Sequence, residues 1–226
     1  MPPTLVSIAM GVLLGCALLG AAFGRRSILI VALAAALPDL DAVFSVAVEG
    51  ATNAFLHTLV VPAIVAVILY WDTERREHSV VRIRSGADGV RVAWVALASY
   101  LVAGIGVDLF TVEGVALLYP LSDAVYGLSG KLVFSTQEGI VHTYLRPESD
   151  GVLPLWHLGT VEEHRVATWI DPASDDSGRR IRLVDFGYHL VIVVTALATL
   201  FTRVVVHRRW ADGFAGRSTD ETGGGR

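Results

Sequence analysis

Residues 27–47 read SILIVALAAALPDLDAVFSVA. The run is long enough to cross the hydrocarbon core of a bilayer as a helix, which takes about 20 apolar residues. It also carries Pro38, Asp39 and Asp41, which a plain spanning helix would not. Proline removes a backbone donor and kinks a helix. A carboxylate at membrane depth is costly, so ionisable residues there are rare and mark function. The stretch therefore predicts a spanning helix, distorted at Pro38, that keeps two acids for a chemical reason.

Working outward, residues 4–23 form a second apolar run without a charge. Residues 54–71 carry His57 and Pro62, residues 92–110 carry Asp108, and residues 186–206 carry His189 near the start and Arg203 near the end. These runs predict an all-α polytopic membrane protein with about five transmembrane helices. The first run follows no positive n-region and exceeds a signal-peptide core of about 7–15 residues, so it is read as a retained helix.

Composition agrees. Of 226 residues, 53% are hydrophobic and 18% charged, against about 25% charged in a soluble domain. Mean hydropathy is +0.56. These values exclude disorder and an ordinary soluble enzyme. A net charge of −4 leaves no basic footprint for nucleic acid. Cys16 is alone, which excludes an intrachain disulfide and a CxxC metal knuckle.

Cytoplasmic loops collect Lys and Arg. Arg25 and Arg26 separate the first two runs, and Arg75, Arg76, Arg82, Arg84 and Arg91 follow the third. Arg203, Arg208 and Arg209 close the last run, whereas Glu49 to Asn53 holds no cation. The pattern predicts a multi-pass cell-membrane protein, N-terminus outside and C-terminus cytoplasmic. Its parts are a four-helix core (1–110), an extracytoplasmic segment (111–184), a fifth helix (185–210) and a disordered cytoplasmic tail (211–226). The segment 111–184 is too long for a connector. It has β-like runs at Lys131 to Ser135, Ile140 to Leu145 and Arg180 to Val184, so a small outer subdomain of mixed or β character is expected.

In this topology Asp39, Asp41, His57 and Asp108 fall at similar depth on the outer side, and His189 falls in the same layer. None of them was used to set the orientation. Carboxylates with imidazole suit a divalent ion such as Zn²⁺, Mn²⁺ or Mg²⁺. Positions i and i+2 point about 200° apart on a straight helix, so Asp39 and Asp41 converge only where Pro38 distorts it. Gly104 and Gly106 permit close approach of the fourth helix. Each residue also has an ordinary reading: Asp41 hydrated at the interface, Asp108 at a helix end, His57 bonded to a carbonyl. His142, His157 and His164 read as solvated loop residues, and no GxSxG elbow supports serine catalysis.

Pro38-Asp39-Leu40-Asp41, then His57, then residues 106–115 (GVDLFTVEGV) and 117–122 (LLYPLS) resemble a known family. The sequence is similar to the membrane-bound metal-dependent hydrolases, also described as LexA-binding, inner-membrane-associated hydrolases, over roughly residues 7 to 122. The resemblance implies a small helical membrane enzyme with Asp39, Asp41, His57 and Asp108 as metal ligands. The Arg-rich, Lys-poor make-up looks like haloarchaeal members. Three family histidines are replaced here, by Ser7, Thr52 and Gly104. Two readings stay open. One is a hydrolase acting on a lipid head group or phosphoester at the outer face. The other is a non-catalytic scaffold or partner-binding protein that has lost ligands. A transporter subunit using Asp39 and Asp108 as a relay is a third, and five helices without a repeat disfavour it.

Overall fold

The computed structural model describes residues 3–44, 54–111, 113–128, 133–142, 155–163 and 183–220. Helix α1 (Thr4–Leu18) turns through a 3₁₀ turn, Gly20–Ala22, into α2 (Arg25–Ala36). Small residues let the two backbones close up. A Cβ on Gly11 would stand 2.6 Å from Ala35 Cβ and 2.8 Å from Ser99 Oγ.

The distortion expected at Pro38 is present. Helix α2 stops at Ala36, a 3₁₀ turn spans Pro38–Leu40, and a one-turn helix α3 (Asp41–Phe44) follows. The next apolar run is helical over a shorter stretch than its hydropathy suggests. Ala54 to Leu59 is irregular, and α4 begins at Val60 (Val60–Tyr70) before ending in a π-helical turn, Trp71–Arg75. The backbone at 56–57 has another partner: the amides of Leu56 and His57 donate to Asp41.

Helix α5 (Val80–Ser99) is capped by Ser79, whose Oγ accepts from Arg82 N at 3.1 Å. It kinks at Gly86, where φ is +67°. It then runs on through a π-helical segment, Tyr100–Gly106, and a 3₁₀ turn, Asp108–Phe110. Helices α2 and α5 run side by side in the same direction. Ser99 Oγ donates to Val31 O, and further along Gly104 abuts Pro38. Of the two glycines expected to allow close approach, Gly104 does so; a Cβ on Gly106 would meet only the carbonyl of Leu101 in its own helix.

Helix α6 (Gly187–Asp220) lies against α1. Leu200 and Val204 pack on Cys16, Leu19 and Phe23, and the Arg203 guanidinium lies 5.5 Å from the Phe23 ring centre. The helix continues into 211–220, where composition suggests no order, since no proline interrupts its backbone ladder.

The segment after α5 forms two small antiparallel sheets. Strand β1 (Ala124–Gly127) pairs with β4 (Trp156–Thr160), and β2 (Val133–Ser135) pairs with β3 (Gly139–His142). The hairpin β2–β3 overlaps the first two β-like runs, whereas β1 and β4 lie outside all three. Residues 183–184 of the third run form no strand, and 180–182 lie outside the described residues. The sheet β1–β4 is tied to the segment that follows the last 3₁₀ turn by the two backbone bonds between Val115 and Tyr126, both 2.8 Å. An apolar cluster of Tyr100, Ile105, Val115, Leu117 and Tyr126 lies beneath it.

The chain is mostly helical, and two of the described helices are long and apolar enough to cross a membrane: Val80–Phe110 and Gly187–Val206. Helix α1 is apolar but only 15 residues long, and the others are cut short at Pro38 and at Ala54 to Leu59. Large apolar side chains face outward along α2 (Leu33, Leu37), α4 (Val67, Ile68) and α6 (Leu197, Phe201). So broad an apolar exterior marks a surface that meets lipid or protein.

Candidate metal centre

Three elements bring the polar residues together. The break at Pro38 ends α2 and presents Asp39 from the 3₁₀ turn and Asp41 from the start of α3. The irregular segment before α4 presents His57. The π-helical segment after α5 delivers Asp108 at the first residue of the closing 3₁₀ turn. π-Helical turns recur at functional sites.

The imidazole of His57 lies between acids, with its side chain fully buried. On one edge, Nδ1–H donates to Asp41 Oδ2 at 3.0 Å. The same carboxylate accepts from the Leu56 amide at 2.8 Å and from the His57 amide at 3.3 Å. Asp41 thus holds both the ring and the backbone that carries it. Irregular backbone at membrane depth survives only when its polar groups find partners within the protein.

On the other edge, Nε2 lies 3.0 Å from Asp108 Oδ2 and 3.7 Å from Asp39 Oδ1. The bond to Asp41 places a proton on Nδ1, and in the neutral ring Nε2 would then turn a lone pair toward both carboxylates, as a metal ligand requires. With both ring nitrogens protonated, the 3.0 Å contact to Asp108 is instead an ion pair, while the 3.7 Å to Asp39 lies beyond hydrogen-bond reach. Nε2 and all four oxygens of Asp39 and Asp108 are buried without a hydrogen-bond partner. Buried carboxylates left this way are costly, and paired or metal-bound charge is the usual remedy.

One donor atom from each of Asp39, His57 and Asp108 falls within 4.8 Å of the others. Zinc-class ions hold N and O at about 2.0–2.2 Å, which sets neighbouring ligand atoms about 3.0–3.5 Å apart. The two distances to Nε2, 3.0 and 3.7 Å, bracket that spacing, and the two carboxylates approach each other within 4.8 Å. The donor set, two carboxylates and a neutral imidazole, suits Zn²⁺ or Mn²⁺. The residues fit a divalent ion.

The four residues singled out in the sequence therefore meet at one place but in two roles. Asp39, His57 and Asp108 face a common point. Asp41 lies on the far side of the ring, where a carboxylate orients a ligating imidazole. His189 is buried elsewhere: its Nδ1 accepts from the Asp185 amide at 3.3 Å, and its ring packs on Phe186 and Tyr188. His157 is exposed on β4 beside Tyr126. His142 has only its backbone described, and His164 lies outside the described residues.

Supporting residues went unread in the sequence. Tyr100 OH donates to Leu56 O, fixing the His57 loop to α5. Thr58 Oγ1 donates to Tyr119 O at 2.7 Å and to Leu117 O at 3.0 Å, and the Leu59 amide donates to Leu117 O at 2.8 Å. The stretch 115–121 is thus the clasp that holds the histidine loop. Polar residues beside His57 and a tyrosine two turns before Asp108 were the available signal.

Gly104 and Ser7 are two of the positions where the sequence resemblance implied a replaced histidine. A Cβ on Gly104 would lie 2.7 Å from Pro38 Cγ and 3.0 Å from Ala35 O, so this packing has no room for an imidazole. Ser7 is fully buried with an unpartnered hydroxyl, one turn after Thr4, whose side chain reaches toward Asp39. Thr52 lies outside the described residues.

No curated protein and no solved structure matches the chain. A family model described as YdjM inner membrane protein matches residues 3–168, a range that takes in every element of the site. With most of its length inside that match, the chain belongs to the YdjM inner membrane protein family.

Proposed function

We propose that the chain is a multi-pass membrane protein that holds one divalent metal ion through Asp39, His57 and Asp108, and that it descends from metal-dependent hydrolases of haloarchaeal type. The observation that carries this is the convergence of two buried carboxylates and the Nε2 edge of His57 on one point. Asp41 is a positioning residue that keeps Nδ1 protonated and the ring turned inward.

The apolar runs act as about five spans: α1, the bent pair α2–α3, α4, α5 with its π-helical extension, and α6. The N-terminus is outside, 1–110 is the core, 111–184 the outer subdomain, 185–210 the fifth helix and 211–226 the cytoplasmic tail. In that orientation the carboxylates lie toward the outer face, where a lipid head group or phosphoester would approach. A bound divalent ion would supply Lewis acidity toward a phosphoryl oxygen and acidify water. The chain's own part is to orient the imidazole through Asp41, seal the site with the Thr58 clasp, and exclude bulk water with the cluster around Tyr100 and Tyr126.

One observation favours a second reading, in which the ion is a structural staple in a non-catalytic scaffold. Catalytic sites keep an open coordination position, whereas structural ones are closed. The side chains of His57 and Asp108 have no exposure here. Elemental analysis of detergent-purified full chain tests the shared claim, with about one divalent ion per chain expected. Absence of stoichiometric metal overturns both readings. Chelation then separates them: lost phosphoester hydrolysis marks the enzyme, and a lowered Tm without any hydrolysis marks the staple.

A further inference from the structure

At the opposite ends of α2 and α5 from the carboxylates lies a cavity of about 420 Å³. Arg26, Ser27 and Ile30 of α2 form one wall, and Ser85, Asp88 and Val92 of α5 help form the other. The kink at Gly86 lies in this wall, and close by a side chain on Gly89 would collide with Ser85.

The cavity is lined by both polar and apolar side chains. Arg26 and Asp88 both line it, and neither makes an ion pair among the described residues. Ser27 and Ser85 add hydroxyls. From Ile30, the same face of α2 continues as exposed Leu33 and Leu37. The first turn of α5 exposes Val80 and Ile83 beside Arg82 and Arg84. Apolar side chains interleaved with arginine mark the depth of the lipid head groups. The cavity volume lies within the usual range for small-ligand sites, about 300–1,000 Å³.

We propose that this cavity binds the headgroup of a phospholipid that can donate hydrogen bonds. Arg26 and Ser27 meet the phosphate, Asp88 accepts from the ammonium or hydroxyl beyond it, and an acyl chain lies along Ile30, Leu33 and Leu37. The pairing of one cation with one anion selects against a plain anion, which Asp88 repels, and against choline, which has no proton to donate.

Native mass spectrometry of the detergent-purified full chain tests this, with dioleoyl lipids bearing ethanolamine, glycerol or choline headgroups as probes. Ethanolamine and glycerol lipids should bind about tenfold more tightly than choline lipid, a difference of about 1.4 kcal/mol. Arg26→Ala should weaken all three, and Asp88→Ala should erase the advantage of ethanolamine over choline. Both variants should keep wild-type metal content, which separates this site from the carboxylate centre and reports an intact fold. Equal binding of choline lipid, or unchanged binding by Arg26→Ala, overturns the proposal. Millimolar glycerophosphoethanolamine, the same headgroup without its chains, should fail to displace the lipid; displacement would make the ligand a solute and overturn the lipid assignment.

Discussion

Asp72 and Asp108 are both buried acids, one just before the start of the long helix Val80–Phe110 and one near its end, and the fold treats them in opposite ways. Asp72 is surrounded by donors. Ser79 Oγ donates to it at 2.8 Å, the amides of Val80 and Val81 at 3.0 and 3.1 Å, and Arg76 Nη1 at 3.4 Å. Asp108 has no amide or hydroxyl donor among the described residues and faces His57 Nε2 at 3.0 Å, with the Asp39 carboxylate 3.7 Å from the same nitrogen. A carboxylate that its own chain saturates is architecture. One that the chain leaves facing a second carboxylate and an imidazole is placed for a cation.

The sharpest way to break that contrast is Asp108→Asn. It removes a charged ligand while leaving the shape of the site, so metal content by elemental analysis should fall at least about tenfold. The metal-free variant should also unfold at a higher temperature than metal-free wild type, because an unpaired buried carboxylate has gone. The gain expected is about 1–3 kcal/mol. Full metal content in Asp108→Asn would remove Asp108 from the site.

Asp41→Asn sharpens the division of roles around His57. A ligand's loss abolishes binding, whereas loss of an orienting carboxylate weakens it by about 10–100-fold. Competition with a chelator of known affinity reads the difference. A complete loss would make Asp41 a ligand, and no change would leave it a backbone clamp alone.

Gly104→Ala tests whether packing sets the spacing of the acids. The added methyl would press on Pro38 and the Ala35 carbonyl, beside the turn that carries Asp39. Overpacking of this kind costs about 1–3 kcal/mol. The expected result is a lower Tm together with weaker metal binding. A lower Tm with unchanged affinity would mean that the Asp39 turn adjusts freely.

What was legible in the sequence follows the range of the interactions. The break in α2 was readable because Pro38 acts on its own helix. That Asp39, His57 and Asp108 come together was legible from their places in three apolar runs. The placement of Asp41 on the far edge of His57 was not, because it depends on the loop before α4 wrapping a carboxylate from another helix. Strands β1 and β4 were not legible for the same reason: they pair across the 28 residues between Gly127 and Trp156 and through a bulge between Val125 and Tyr126. Asp72 received no reading from the sequence, because its donors Ser79, Val80 and Val81 belong to the start of the next helix.

That overlooked acid gives the smallest effect and the cleanest control. Hydrogen bonds from the Val80 amide and the Ser79 hydroxyl favour the ionised form, so the Asp72 carboxyl is held below its ordinary pKa of 3.8. A depressed native pKa means that the unfolded chain takes up a proton first as pH falls. The stabilisation is therefore complete above the unfolded pKa and disappears as pH drops through the folded one. The Tm difference between wild type and Asp72→Asn should thus be full at pH 7 and shrink below about pH 4. Metal content at pH 7 should be identical in the two proteins. If Asp72→Asn loses metal, the two ends of Val80–Phe110 are coupled, and the saturated carboxylate cannot be taken as architecture independent of the unsaturated ones.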